Sequence, residues 1–138
     1  MSSKKILVID DEPDVLTYLT MLLEDQGYET CSAKDGLEGM EKIRQERPDL
    51  VCLDLLMPRK TGVKLYHEMR KDPDLKNIPV VMVTAFGPPL QPGIDFKQFI
   101  HQRKLIPPPE GYIEKPIDQE VLIKTIAGIF ERQPNPFS

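Results

Sequence analysis

Acidic side chains stand directly behind two apolar runs of this 138-residue chain. Asp10 and Asp11 follow Ile6-Leu7-Val8-Ile9, and Asp54 follows Leu50-Val51-Cys52-Leu53. Thr84 ends a third run, Val80-Val81-Met82-Val83, and Lys115 follows a short strand-like segment, Tyr112-Ile113-Glu114. Taken singly, each has an ordinary explanation. An aspartate after a strand caps helices and forms turns, a strand-end threonine reflects β-propensity, and a lone lysine is usually solvated. Brought together, the five suggest one chemistry. Clustered carboxylates repel unless a cation sits among them, and carboxylate oxygens with room for water suit Mg²⁺. Such an ion can bridge to a phosphoryl oxygen, and a carboxylate beside it can act as nucleophile, forming an aspartyl-phosphate. Lys115 would pair with a phosphoryl oxygen as a point charge, and the Thr84 hydroxyl would donate to another.

The elements needed to bring these residues together are legible. Ile6–Ile9, Leu50–Leu53 and Val80–Val83 are continuous apolar runs, the pattern of strands buried on both faces. Tyr28 to Ala33 reads as a further strand, and Tyr112–Glu114 as a short fifth. Between them lie helical patterns. Pro13 suits a first helical turn, and Val15, Leu16, Leu19, Leu22 and Leu23 give that helix an apolar stripe that Gly27 ends. A second helix opens at Asp35-Gly36, with Leu37, Met40 and Ile43 expected inward, and Pro48 stops it. Gly62 to Lys71 forms a third, with Leu65 and Met69 inward. Asp118 caps the last, whose expected inner face is Val121, Leu122, Thr125, Ile126, Ile129 and Phe130. Strands alternating with helices imply a parallel sheet with right-handed crossovers. In such α/β sheets ligands bind at the carboxyl ends of the strands, where Asp10, Asp11, Asp54, Thr84 and Lys115 all fall.

Composition narrows the function classes. The chain is long enough for one core without staples, with one domain expected over 1–133 and a frayed tail over 134–138. A net charge of −4 weighs against a nucleic-acid partner. Cys31 and Cys52 sit in apolar runs and read as free core thiols, which suits a cytoplasmic setting. No apolar run reaches membrane-spanning length, and Met1–Lys5 lacks a signal-peptide core.

As an ordered set, these residues resemble the receiver domains of two-component response regulators over about residues 4–131. The matching pieces are Ile6 to Glu12 with its Asp10-Asp11 pair, Asp54-Leu55-Leu56-Met57-Pro58 followed by Gly62, Thr84-Ala85, and Gly111-Tyr112 with Lys115-Pro116. The resemblance implies a flavodoxin-like, doubly wound five-stranded parallel sheet in the order 2-1-3-4-5, which separates Cys31 from Cys52. It implies phosphoryl transfer to Asp54 from a histidine kinase or a His-phosphotransfer domain. Asp11, Asp54 and the Leu56 carbonyl would ligate Mg²⁺, with Asp10 acting through a water. Thr84 and Lys115 would contact the phosphoryl group, Ala85 would leave access to it, and Lys115-Pro116 would be cis. Tyr112 matches the family's aromatic switch, which moves with Thr84 and alters the face made by the fourth helix, fifth strand and fifth helix for a downstream protein. A packed strand aromatic is an equal reading of Tyr112. Glu12 is expected to be a first-turn helix residue rather than a ligand, and His67 and His101 to be solvent-facing.

Two departures from the family pattern stand out. Thr84 and Lys115 are 31 positions apart, longer than the family usually has, and six of the 14 prolines lie between Pro88 and Pro109. A fourth helix is therefore expected late, over about 96–104, behind an Asp95 cap with Gln98 and an Ile94–Phe99 staple. Either this is a tolerated surface insertion, or the 86–110 segment sets partner choice, the reading favoured here. Second, Leu56 and Phe86 stand two places beyond the aspartate and the threonine, where the family tunes hydrolysis. Both are apolar and cannot orient water, so a long-lived phosphoryl group is expected.

Other readings fit less well. A dehalogenase-type phosphatase needs a second acid two residues after the nucleophile, where this chain has Leu56. A flavodoxin needs a Ser/Thr/Gly-rich phosphate loop after the first strand, where Asp10-Asp11 would repel phosphate. A receiver-like binding module that is never phosphorylated would not need the acidic pair, Asp54, Thr84 and Lys115. With no output domain after residue 131, a single-domain regulator or a truncated form is expected, acting as a signalling switch rather than an enzyme and without DNA binding.

Overall fold

A computed structural model describes residues 4–55, 62–84 and 109–132. The described elements are β1 (Lys5–Ile9), α1 (Pro13–Asp25), β2 (Glu29–Ala33), α2 (Gly36–Glu46), β3 (Leu50–Leu53), α3 (Gly62–Lys71), β4 (Val80–Thr84), β5 (Gly111–Glu114) and α4 (Gln119–Arg132). The helix expected over about 96–104, the tail from 134, and Leu56, Ala85, Phe86 and His101 lie outside the described residues.

The five strands form one sheet in the order β2-β1-β3-β4-β5, with every pairing parallel. Alternate strand residues point to opposite faces, which builds two cores. Leu7, Ile9, Val51, Leu53, Val80 and Met82 pack with Met40 and Ile43 of α2 and Leu65 and Met69 of α3. Ile6, Val8, Leu50, Cys52, Val81 and Val83 pack with Leu19, Leu22 and Leu23 of α1 and Leu122, Ile126 and Ile129 of α4. The continuous apolar runs of the inner strands are explained by these two covered faces. Cys31 pairs with Leu7 and Cys52 with Val8, so β1 separates the thiols, and both are free. Burial pushes the Cys52 thiol up to about 12, which leaves it inert.

Helix ends follow their local chemistry. The Asp35 carboxylate accepts from the Glu38 amide at 2.9 Å, and Asp118 Oδ1 accepts from the amides of Glu120 and Val121 at 3.0 and 3.2 Å. Gly27 takes φ +94 after α1, whereas α2 ends on Arg47 with φ 47, a left-handed position filled by a residue with a Cβ. Two side chains expected inward are exposed: Leu37 by 56% and Val121 by 48%. On α2 the buried face runs through Gly36, Gly39, Met40 and Ile43, so Leu37 sits a quarter turn away. Gly39 lets the helix backbone close on Ile9, whose Cδ1 would lie 2.8 Å from an added Cβ. On α4 the stripe is Leu122, Ile126 and Ile129, and Val121 lies beside it. His67 is half-buried rather than solvent-facing, on the flank of the face α3 turns to the sheet.

Candidate functional site

Hydrogen bonds that extend the ladder past the strand ends place the acids side by side. The Asp10 amide donates to the Ala33 carbonyl at 3.1 Å, and the Asp54 amide donates to the Ile9 carbonyl at 3.0 Å. Asp10 and Asp54 therefore leave adjacent strands at the same carboxyl edge, and both are almost fully buried, at 1% and 3% exposure. Burying carboxylates is costly without partners. Asp10 Oδ1 accepts from the Glu12 amide at 2.9 Å, at the entry to α1. Its other oxygen meets Lys115.

Lys115 leaves the far edge strand β5 and reaches past β4. Its Nζ lies 2.8 Å from Asp10 Oδ2, 3.6 Å from Asp54 Oδ2 and 3.3 Å from Glu12 Oε1. The long aliphatic stem of lysine makes this span feasible. Burial alone would lower the Lys115 ammonium, but the hydrogen bond to Asp10 and the charges of Asp54, Asp10 and Glu12 outweigh it and hold the pKa above its ordinary value. Burial pushes the Asp10 carboxyl up, opposed by the Lys115 hydrogen bond and the Glu12 amide. The Lys115–Pro116 peptide is cis.

Gly62 opens α3 directly under the acidic edge. Its amide donates to the Leu55 carbonyl at 3.2 Å, and a Cβ there would run into the Asp54 carbonyl oxygen and come within 2.6 Å of Leu55 Cα. Only glycine allows this approach. Thr84 ends β4 with its Cα paired to Glu114, so its backbone stands at the same edge. Tyr112 pairs with Met82, is half-buried, and packs on the α2–α3 side of the sheet.

The expected site residues Asp10, Asp54 and Lys115 thus come together, and Asp11 is exposed beside them. Leu56 lies outside the described residues. Glu12, expected in the first helical turn, instead stands just before α1 as its N-cap, and its carboxylate joins Lys115 and groups with Asp10 and Asp11, one oxygen from each lying within 4.8 Å of the others. Its position directly after the acidic pair was the available signal. The donor set is all carboxylate oxygen, partly buried and balanced by one ammonium, which fits a hard divalent cation.

The sequence model of the response regulator receiver domain matches residues 6–127. Protein PilH of Pseudomonas aeruginosa is 32% identical over 125 residues, covering 91% of this chain and 96% of that protein. The polar-differentiation response regulator DivK of Brucella anthropi is 32% identical over 123 residues, covering 89% and 93%. Among solved structures, a putative response regulator from Chloroflexus aurantiacus superposes with a TM-score of 0.80 at 27% identity, covering 95% of this chain and all of that one.

Proposed function

The chain belongs to the response regulator receiver domain family, and on that premise we propose that Asp54 accepts a phosphoryl group from a phosphohistidine of a histidine kinase or His-phosphotransfer domain. The observation that carries this reading is the Lys115 ammonium resting 2.8 Å from Asp10 and 3.6 Å from Asp54 at the carboxyl edge of the sheet. A fixed positive charge beside the Asp54 carboxylate supports the reading, because a phosphoryl oxygen carried there would be stabilised by it.

In the proposed step an Asp54 carboxylate oxygen attacks phosphorus, the new O–P bond forms in line as the P–N bond to the donor imidazole breaks, and that nitrogen takes up a proton. Lys115 exchanges carboxylate for phosphoryl oxygen and so follows the charge. The Thr84 hydroxyl donates to another phosphoryl oxygen. Asp11, Asp54 and the Leu56 carbonyl, with Asp10 through a water, would hold Mg²⁺, and Glu12 adds charge at the rim. When bound, that ion would neutralise charge building on the phosphoryl oxygens. The chain is a signalling module rather than a classical enzyme, and the readout proposed for it is a shift of Thr84 and Tyr112 that alters the β5 face and its neighbouring helices for a downstream protein.

A cytoplasmic setting is proposed with this role, and no described helix is long and apolar enough to cross a membrane. Leu56 and Phe86 are proposed to leave the aspartyl-phosphate slow to hydrolyse, and Leu56→Asn with Phe86→Glu should shorten its half-life. An unchanged half-life would refute that part alone. The 86–110 segment is proposed to set partner choice. The whole reading is tested by titrating the protein with beryllium fluoride and Mg²⁺ while following backbone amides by NMR. Saturable shifts at Asp54, Thr84 and Lys115 that vanish in Asp54→Asn are expected, and shifts that survive the substitution would overturn it.

A further inference from the structure

At the amino end of the sheet, opposite the acidic site, Arg70 is locked in place. Its side chain is 4% exposed, Nη1 donates to the carbonyls of Lys76 and Ile78 at 2.8 Å each, and the guanidinium lies 4.7 Å from the Tyr66 ring centroid. Nη2 donates to both oxygens of Glu110 at 3.1 and 2.7 Å. The same carboxylate accepts from the Val80 amide at 2.7 Å, while the Glu110 amide donates to the Val80 carbonyl at 3.0 Å. Glu110 therefore grips the first residue of β4 from both sides and is itself held by a rigid cation from α3.

Strand β5 needs such a grip. It has four residues and, among the described residues, lies at the edge of the sheet and pairs with β4 alone. Its partner strand is joined to it through positions 85 to 110, far too long a connection for turn geometry to dictate pairing. The alternation of Tyr112 toward one core and Ile113 toward the other rejects a slip of one residue, while a slip of two is opposed on this strand only by the tight slot of Gly111, where a Cβ would lie 2.8 Å from Thr125 Cγ2. Each residue of slip would carry Lys115 along the strand by about 3.3 Å, enough to break its contacts with Asp10 and Asp54. The Glu110 side chain is 38% exposed, so the pair serves register through its bidentate geometry and the two bonds of Glu110 to Val80 rather than through Coulomb energy.

We propose that Arg70 and Glu110 are positioning residues, a register pin at one end of β5 that holds Lys115 on the carboxylates at the other end. The inference rests on the reading of Lys115 as the phosphoryl-binding cation, and the tests are chosen to separate the two. In Glu110→Ala the pin is cut, and in the milder Glu110→Gln an oxygen acceptor for the Val80 amide is kept while the negative charge facing Arg70 is lost. The first readout does not involve phosphorylation: ¹⁵N-edited NMR of the lysine ammonium groups, with Lys115 assigned through Lys115→Met. A Lys115 signal shifted or broadened in the Glu110 variants, with the other ammonium signals unmoved, is expected. The second is a double-mutant cycle on the rate of phosphorylation by saturating phosphoramidate with Mg²⁺. Glu110→Ala should slow the rate several-fold alone and change nothing further in a Lys115→Met background. If Glu110→Ala fails to fold, Glu110→Gln runs the same cycle. A Lys115 signal unchanged in the Glu110 variants, or rate losses that simply add, overturns the register pin. A Lys115→Met protein phosphorylated at the parental rate instead overturns the role of Lys115, whatever the NMR shows.

Discussion

Replacing Lys115 by methionine should destabilise the protein strongly, and in a pH-dependent way. Methionine keeps most of the apolar stem and removes the charge. The ammonium is 13% exposed and sits 2.8 Å from a carboxylate that is 2% exposed, with a second carboxylate at 3.6 Å. At an effective dielectric of about 20, each contact carries roughly 5 kcal/mol of gross Coulomb attraction. Most of that offsets desolvation, but removing one partner of a buried pair leaves the desolvation uncompensated, a loss of about 3–5 kcal/mol. For a domain of this size the melting temperature should fall by roughly 10–20 °C. The pH dependence has a definite sign. Burial already raises the Asp10 carboxyl, and Lys115 is one of the groups holding it down, so the variant raises it further. A carboxyl raised in the folded state weakens folding while ionised, and the penalty is relieved as pH falls toward the ordinary value of about 4. The variant's deficit should therefore be largest at neutral pH and shrink on acidification. In the parent, the contribution of the raised Lys115 persists below its ordinary value of about 10.4 and is lost only as pH rises through the folded one. Thermal unfolding by circular dichroism between pH 5 and 8, at low salt and without Mg²⁺, measures the variant's deficit and how it changes with pH. A melting temperature within a degree or two of the parent at neutral pH, or a deficit that grows on acidification, would refute the reasoning.

Further outcomes follow from single positions. Gly62→Ala forces a Cβ into the Asp54 carbonyl, so urea titration should show a loss of about 1–3 kcal/mol, with slower phosphorylation as the nucleophile shifts. Arg47→Gly relieves a left-handed residue with φ 47 and should raise stability by about 1 kcal/mol in the same assay. Ile43→Ala removes a fully buried side chain between α2 and the sheet and should cost about 2–5 kcal/mol without altering the phosphorylation rate of the folded fraction.

Much of this structure was legible in the chain because its signals are local. The apolar runs of β1, β3 and β4 mark strands buried on both faces, and the residue after each run marks the edge where Asp10, Asp54 and Thr84 stand. Lys115 could be placed at that edge by the same rule. Side-chain partners were harder, since they depend on distances that no local pattern encodes. Arg70 and Glu110 are 40 positions apart and belong to elements with unrelated patterns. Leu37 is exposed because an apolar stripe counts side chains, whereas α2 packs partly through the bare backbone of Gly39, and Val121 because it stands one position off the Leu122, Ile126 and Ile129 stripe of α4. Glu12 stands at the N-cap of α1 rather than in its first turn, and from there its carboxylate reaches Lys115.

Asp54 is the expected phosphoryl acceptor, and the most direct test is to find where a phosphoryl group lands. The protein would be incubated with phosphoramidate and Mg²⁺, the acyl phosphate reduced with borohydride, and the reduced residue located by peptide mass spectrometry. Reduction confined to Asp54, and absent from Asp54→Asn, is predicted. A reduced residue elsewhere, or undiminished labelling of the variant, would contradict the account.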